Sequence, residues 1–267
     1  MTQPNNRPTN PNQTTNQLTD RNVINSQNVP TDTRHNVIAP HADLLTNNNL
    51  WLNCMQINLR HSKAASANLS QLLLDLNIDI ALIQEPYAYR HADQFTVANV
   101  PDGFTASHDL TDEHEYGATV LVKNYLKPVK APQVSDNYIA GVTLLTLNPP
   151  LTFFSIYGRP SAATLSPFLD PFRTFSSTLT QNMVIAADIN GRNPLWNSNL
   201  IDNKGRELEE FLIENPMRLL NTPKANLSYI PTSSSFVDVT LGGDNIRVTS
   251  WKFLPEESLS DHPFIFF

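Results

Sequence analysis

The stretch from Trp51 to Pro86 limits the fold more than any other part of the chain. "WLNCMQINL" and "DIALIQEP" are short apolar runs that read as buried strands, and between them "SKAASANLSQLLLDLN" sets Ala65, Leu69, Leu72, Leu73 and Leu76 at helical spacing. A strand, an amphipathic helix and a second strand make a β-α-β unit, which requires a sheet with helices over its face. Further along, "YGATVLVKN", "VTLLTLN" and "LTFFSIYG" come in succession with turn signals such as "NPP" between the last two, which predicts consecutive antiparallel strands. Asp170 is placed to cap a helix that begins at Pro171 and carries Phe172, Phe175 and Leu179. "NMVIAADIN" is the next strand and "GRELEEFLIEN" the next helix, after which "MRLLN", "SFVDVTLG", "IRVTSWKF" and "HPFIFF" complete the series. This order fits a four-layered α/β sandwich, with two mostly antiparallel sheets packed face to face and helices outside.

The chain before this pattern has another texture. Residues 1–48 are dominated by Asn, Gln, Thr and Pro, as in "QPNNRPTNPNQTTNQ", and contain too little apolar area to offset the entropy of ordering a backbone. The sequence therefore predicts a disordered tail over 1–48 and one large domain over 49–267. The single cysteine, Cys54, cannot form an intrachain disulfide, and the first residues lack a basic start followed by an apolar stretch, so the expected setting is intracellular. No apolar run reaches the roughly 18 residues that cross a bilayer, so no membrane partner is expected.

A formal charge of −7 argues against a protein that coats nucleic acid by neutralising phosphates. It leaves room for a nuclease, because an acidic cleft holding a divalent cation binds phosphate through the metal. Lys63, Lys123, Lys127, Lys130 and Arg192 are candidates for a basic rim, or equally scattered solvent charges. His108 and His114 in "SHDLTDEHEYG" read as part of a solvated acidic loop, and Cys54 as an inert core thiol.

Five apolar runs begin or end on a polar side chain: "QIN", "IQEP", "SIYGRP", "AADIN" and "LSDHP". If these strands are neighbours, their ends converge on one cleft. The residue types suit one chemistry. Asn58 and Glu85 offer hard oxygen ligands for Mg²⁺. Asp188 and Asn190 can orient a water and donate to a phosphate oxygen, Tyr157 adds a phenolic donor, and His262 beside Asp261 can polarise a phosphoryl oxygen with Asp238 fixing its tautomer. Each residue also has a structural reading: Asn58 as a cap, Glu85 as a turn acid, Tyr157 as a core aromatic, Asp238 as a partner for a loop backbone.

Taken in order, "QINLRHSKAA", "LIQEPY", "YGRPS", "AADINGRNPLWN", "SSSFVDVTL" and "SDHPFIFF" resemble the endonuclease–exonuclease–phosphatase superfamily. Within it they are most similar to the apurinic-endonuclease-like domain at the start of non-LTR retrotransposon polyproteins. The resemblance implies metal binding at Asn58, Glu85 and Asp261. It implies phosphate contact by Tyr157, water positioning by Asp188 and Asn190, and an acid–histidine pair of Asp238 with His262, next to Asp261. Two departures stand out. Arg60 occupies the place where many repair relatives carry an acid, and "YGRP" sets Gly158 and Arg159 where bulkier or apolar residues are common.

The resemblance further implies a Mg²⁺-dependent endonuclease, with Mn²⁺ as a substitute, that nicks duplex DNA in the nucleus. The nick would expose a 3′ hydroxyl for a reverse transcriptase carried in a longer polyprotein. A phosphomonoesterase or phosphoinositide phosphatase on the same site, or an inactive fold kept as a binding module, remain the alternatives.

Overall fold

The computed structural model describes residues 51–111, 117–131, 134–221 and 236–267, so the tail assigned to 1–48 and His114 lie outside the described residues. The elements follow in the order β1 (Cys54–Asn58), α1 (Lys63–Asp75), β2 (Ile80–Gln84), β3 (Ala88–His91), β4 (Gln94–Val97), β5 (Phe104–Ser107), β6 (Ala118–Lys123), β7 (Val129–Lys130), β8 (Ile139–Leu144) and β9 (Leu151–Tyr157). They continue through α2 (Ser166–Arg173), α3 (Ser177–Gln181), β10 (Met183–Asp188), α4 (Asn203–Glu214), β11 (Met217–Leu219), β12 (Asp238–Gly243), β13 (Lys252–Phe253) and β14 (Ile265–Phe266).

Twelve of these strands form two six-stranded sheets, ordered β13-β14-β1-β2-β6-β5 and β11-β12-β10-β9-β8-β7. Each sheet has one parallel pair at its centre, β1 with β2 and β9 with β10, and antiparallel neighbours elsewhere. The parallel pairs are the two β-α-β units. Ser62 starts the first crossover helix by accepting a hydrogen bond from the Ala65 amide at 3.1 Å, a cap that contributes about 1 kcal/mol. Ser176 does the same for α3 within the second crossover.

Strand alternation sorts the side chains into layers. Ile80, Leu82, Val120, Val142, Phe153, Val184 and Ala186 form a cluster between the sheets. Met55, Ile57, Ile83 and Leu121 turn outward beneath Leu69, Leu72 and Leu73 of α1. On the opposite side Phe154, Ile156 and Ile185 pack against Phe168 and Phe172 of α2 and Leu208 and Phe211 of α4. Helix, sheet, sheet and helix thus give the four layers expected from the sequence.

The structure corrects several local readings. The strands of "YGATVLVKN" and "VTLLTLN" are not neighbours: β6 lies in the first sheet and β8 in the second, and only β8 with β9 forms the antiparallel pair. α2 starts at Ser166, not Pro171, with Pro167 in its first turn and Pro171 inside it; burial of Phe168, Leu169 and Phe172 outweighs the amide that Pro171 cannot supply. "IRVTSWKF" contributes only Lys252–Phe253, because its partner β14 pairs over two residues. The β3–β4 hairpin is additional.

Candidate active site

The same alternation aims the candidate residues. Along β1, β2, β9 and β10 the residues facing the other sheet are Cys54, Gln56 and Asn58; Ile80, Leu82 and Gln84; Phe153, Ser155 and Tyr157; and Val184, Ala186 and Asp188. Asn58, Gln84, Tyr157 and Asp188 are the last residues of their strands. Both parallel pairs therefore end at one rim between the sheets. In register, Asn58 lies opposite Gln84, and Asp188 lies between Tyr157 on one side and Asp238 on the other.

Asn58 joins the two sheets. It is 1% exposed, and its Nδ2 donates to Glu85 Oε1 and to Asp188 Oδ2, each at 2.8 Å. Its Oδ1 accepts from the Arg60 amide at 2.8 Å, so in this arrangement Asn58 presents donors to the cleft and not a ligand oxygen. Glu85 follows β2 with a positive φ of 46°, which swings its buried side chain out of the strand and toward Asn58.

Asp188 is 1% exposed and accepts at Oδ1 from the Asn190 amide (3.0 Å) and at Oδ2 from Asn190 Nδ2 (3.2 Å). Asn190 has a φ of 46°, which lets the chain fold back so that its side chain reaches both Asp188 and the Gly158 carbonyl. Burial, then the charge of Asp238, pushes the Asp188 carboxyl up to about 7 against the opposing pull of His262, Asn58 and Asn190.

His262 closes the group. Its Nδ1 meets Asp238 Oδ2 at 2.8 Å, and its Nε2 lies 3.9 Å from Asp188 Oδ2. Burial disfavours the charged ring, but Asp238, Asp188 and Glu85 together outweigh it and hold its pKa up at about 9. Asp238 Oδ1 is buried with no hydrogen-bond partner. Ligand atoms of Asp188, Asp238 and His262 all lie within 4.8 Å of one another.

The structure thus brings Asn58, Glu85, Asp188, Asn190, Asp238 and His262 into one connected group, with Tyr157 beside Asp188 in register. Asp261 differs: it is exposed and its carboxylate pairs with the Arg60 guanidinium. The acid expected beside the metal is therefore engaged by the residue that replaces an acid in repair relatives. Gly158 also has a physical reason. Its amide donates to the Asp188 carbonyl at 2.7 Å, and a Cβ there would stand 3.0 Å from Ile189 Cα and 3.1 Å from the Ile189 carbonyl oxygen.

Sequence reasoning missed what lies beneath the rim. Gln84 Nε2 donates to Ser155 Oγ (2.9 Å) and the Ala186 carbonyl (3.1 Å), and Ser155 donates to the Ile83 carbonyl (2.8 Å). Gln56 donates to the Ala187 carbonyl (3.2 Å) and accepts from Thr240 (2.8 Å), which in turn accepts from Trp251 Nε1 (3.0 Å). These fully buried polar groups stitch one sheet to the other; the signal was available as polar residues at inward positions of apolar strands. Lys204 was also missed: it is 7% exposed, and its Nζ donates to the Arg159 carbonyl at 2.7 Å. Of the expected basic rim, Lys123 pairs with Asp79 at the far end of β2, Lys130 with Asp109, and Arg192 with Asp202.

Residues 151–266 match the family model described as endonuclease-reverse transcriptase. No curated protein matches the chain. Among solved structures, the endonuclease domain of TRAS1, a telomere-specific non-LTR retrotransposon, is similar with a TM-score of 0.68 and 22% identity over 80% of this chain and 96% of that one. The AP endonuclease LMAP from Leishmania major gives a TM-score of 0.64 and 12% identity over 80% of this chain and 86% of that one. A mannosyl-6-phosphatase from Bacteroides thetaiotaomicron gives 0.55 and 12% over 81% and 98%. The chain therefore has the fold of the endonuclease–exonuclease–phosphatase superfamily and is similar to retrotransposon endonucleases, as its motifs suggested. Among the described residues no helix is long and apolar enough to cross a membrane.

Proposed function

We propose that the chain is a divalent-metal-dependent endonuclease that nicks duplex DNA by hydrolysing one phosphodiester bond. The observation that carries this reading is the convergence of Asn58, Glu85, Asp188, Asn190, Asp238 and His262 on one rim between the sheets. Similarity to a retrotransposon endonuclease domain supports DNA as the substrate class, a nuclear site of action and a reverse transcriptase as partner in a longer polyprotein.

The residues fit a hard cation such as Mg²⁺, with Mn²⁺ as substitute. Glu85, Asp188 and Asp238 are buried carboxylates grouped around a single histidine, and the unpartnered Asp238 Oδ1 marks charge that the protein alone leaves uncompensated. Glu85 would hold the cation, and Asp261 would join only by leaving Arg60. Bound there, the metal would supply charge stabilisation at the phosphate and the leaving oxygen.

The protein's own groups divide the remaining work. Asp188, fixed by Asn58 and Asn190, accepts a proton from the attacking water, a role suited to a carboxylate raised toward neutrality. Asp238 holds His262 by Nδ1, which leaves Nε2 to donate to a phosphoryl oxygen. Tyr157 contributes its phenol from the end of β9. The tail over 1–48 takes no part in the chemistry, and 49–267 is the catalytic unit.

Supercoiled plasmid incubated with Mg²⁺ should be converted to the nicked circle, and EDTA should stop the conversion. Because the same fold serves a sugar-phosphate phosphatase, the second reading is a phosphomonoesterase. Release of phosphate from a monoester without plasmid nicking selects it, and inactivity on both substrates in a folded protein selects a binding module.

A further inference from the structure

Among the described residues, Arg60, Arg90, Arg173, Arg206, Arg218 and Arg247 each give a guanidinium N–H to a carboxylate or to an amide or backbone carbonyl oxygen, and the Arg192 guanidinium is ion-paired with Asp202 at 3.7 Å. Arg159 does not. Its guanidinium carbon instead lies 4.6 Å over the centre of the Tyr138 ring. That ring is wedged between Phe168, edge-on at 6.1 Å, and Tyr157 at 6.4 Å. An aromatic face holds a guanidinium without using its N–H donors, so all five remain available on an exposed side chain at the cleft.

The backbone carrying this cation is pinned. Asn190 donates to the Gly158 carbonyl, Gly158 donates to the Asp188 carbonyl, and the Arg159 carbonyl accepts from both Lys204 Nζ and the Ala162 amide. A buried lysine held to a single backbone carbonyl is costly to keep: burial lowers its pKa while Asp188, Asp202 and Glu207 oppose the shift. Its place in the fold makes sense as an anchor for the Arg159 loop. Gly191 allows this closeness, since a Cβ there would come 2.8 Å from Lys204 Cβ.

We propose that Arg159 is the site for a backbone phosphate flanking the scissile one, seated by Tyr138 and anchored through Lys204. This rests on the nuclease reading and deepens it. A planar guanidinium with free donors, fixed two residues beyond Tyr157, binds a second phosphate of the same strand, which a small monoester does not possess. Arg159 thereby selects a polymeric phosphodiester. The stacked geometry limits the rotamer freedom lost on binding.

The test is binding of a short duplex oligonucleotide to the full chain in EDTA, over a series of salt concentrations, alongside nicking of plasmid in Mg²⁺. Arg159→Ala should weaken duplex binding about fivefold to tenfold at low salt and reduce the slope of log affinity against log salt by about 0.9, the value for one phosphate contact. In nicking, KM should rise more than kcat falls. Arg159→Lys should keep the salt slope, and Tyr138→Leu should keep it while losing affinity about threefold, as expected when charge persists but its seat is gone. Wild-type slope and affinity in Arg159→Ala overturn the assignment, as does lost affinity with an unchanged slope in a cooperatively melting variant. Weakened binding of a water-soluble phosphoinositide with duplex binding intact also overturns it. If the wild type neither binds nor nicks DNA but cleaves a monoester, the nuclease reading falls and this proposal with it; an unaffected variant of a nicking wild type removes the Arg159 assignment alone.

Discussion

Asn58→Ala is the sharpest probe of how the two sheets are held at the rim. The substitution removes two buried hydrogen bonds from one amide to two carboxylates, each 2.8 Å long. Bonds to charged acceptors contribute about 1.5–3 kcal/mol each, so the gross loss is about 3–6 kcal/mol. Water entering the space left at the rim returns part of it, and a net loss of about 2–4 kcal/mol is expected for the metal-free protein. With a urea dependence of about 2–3 kcal/mol per molar for a domain of this size, the midpoint should fall by about 1 M. Asn58→Asp should be worse at pH 8 than at pH 5.5, because a third carboxylate repels Glu85 and Asp188 until Asp188, whose carboxyl burial and Asp238 already push upward, takes a proton. Urea melts in EDTA at both pH values measure this. A midpoint shift under about 0.2 M for Asn58→Ala would refute the bridging role, and equal losses for Asn58→Asp at both pH values would refute the electrostatic part.

Other outcomes follow from the same contacts. Glu85→Gln should raise the Mg²⁺ concentration for half-maximal nicking, since an amide is the poorer ligand; an unmoved midpoint removes Glu85 from the metal. Arg60→Ala frees Asp261 and adds negative charge at the cleft, so Mg²⁺ binding measured by calorimetry should tighten a few-fold, and weaker binding would contradict the ion pair's competing role. His262→Ala should cost on the order of 10² to 10⁴ in rate, and adding Asp238→Ala should cost little more if the pair acts as one unit; multiplying losses in folded variants would separate them. The His262 pKa is raised in the folded chain from 6.5 to about 9, so its stabilising contribution is complete below pH 6.5 and is lost as pH rises through 9. Melting temperature should therefore fall over that window in the wild type and less steeply in His262→Ala, and parallel curves would count against the paired imidazolium.

The ends of the strands were readable in advance because apolar alternation fixes which side chains face inward, and Asp188 and Asn190 interrupt an apolar run as it leaves β10 while His262 precedes the run that enters β14. The split of β6 and β8 between sheets was not readable, because alternation reports a strand's faces and not its neighbours. The start of α2 was hidden by two prolines four residues apart, either of which can begin a helix. The β3–β4 hairpin escaped because residues 89–94 are exposed, leaving no apolar period to detect. Asp261 shows a different limit. Its adjacency to His262 places it near the site, but the side chain turns to Arg60, a contact 201 positions away that no local pattern records.

β1 sits between β2 and β14, and Cys54 exchanges backbone hydrogen bonds with Phe267. During synthesis, the strand that emerges among the first of the domain must wait for nearly the last, with one edge of its ladder open to other chains until then. His262, three residues before β14, is delivered by the same event. A ribosome-bound nascent chain consequently carries Asn58, Glu85, Asp188 and Asp238 before it carries the histidine that joins them. The group at the rim therefore closes only once the residues of β14 have been made and paired with β1.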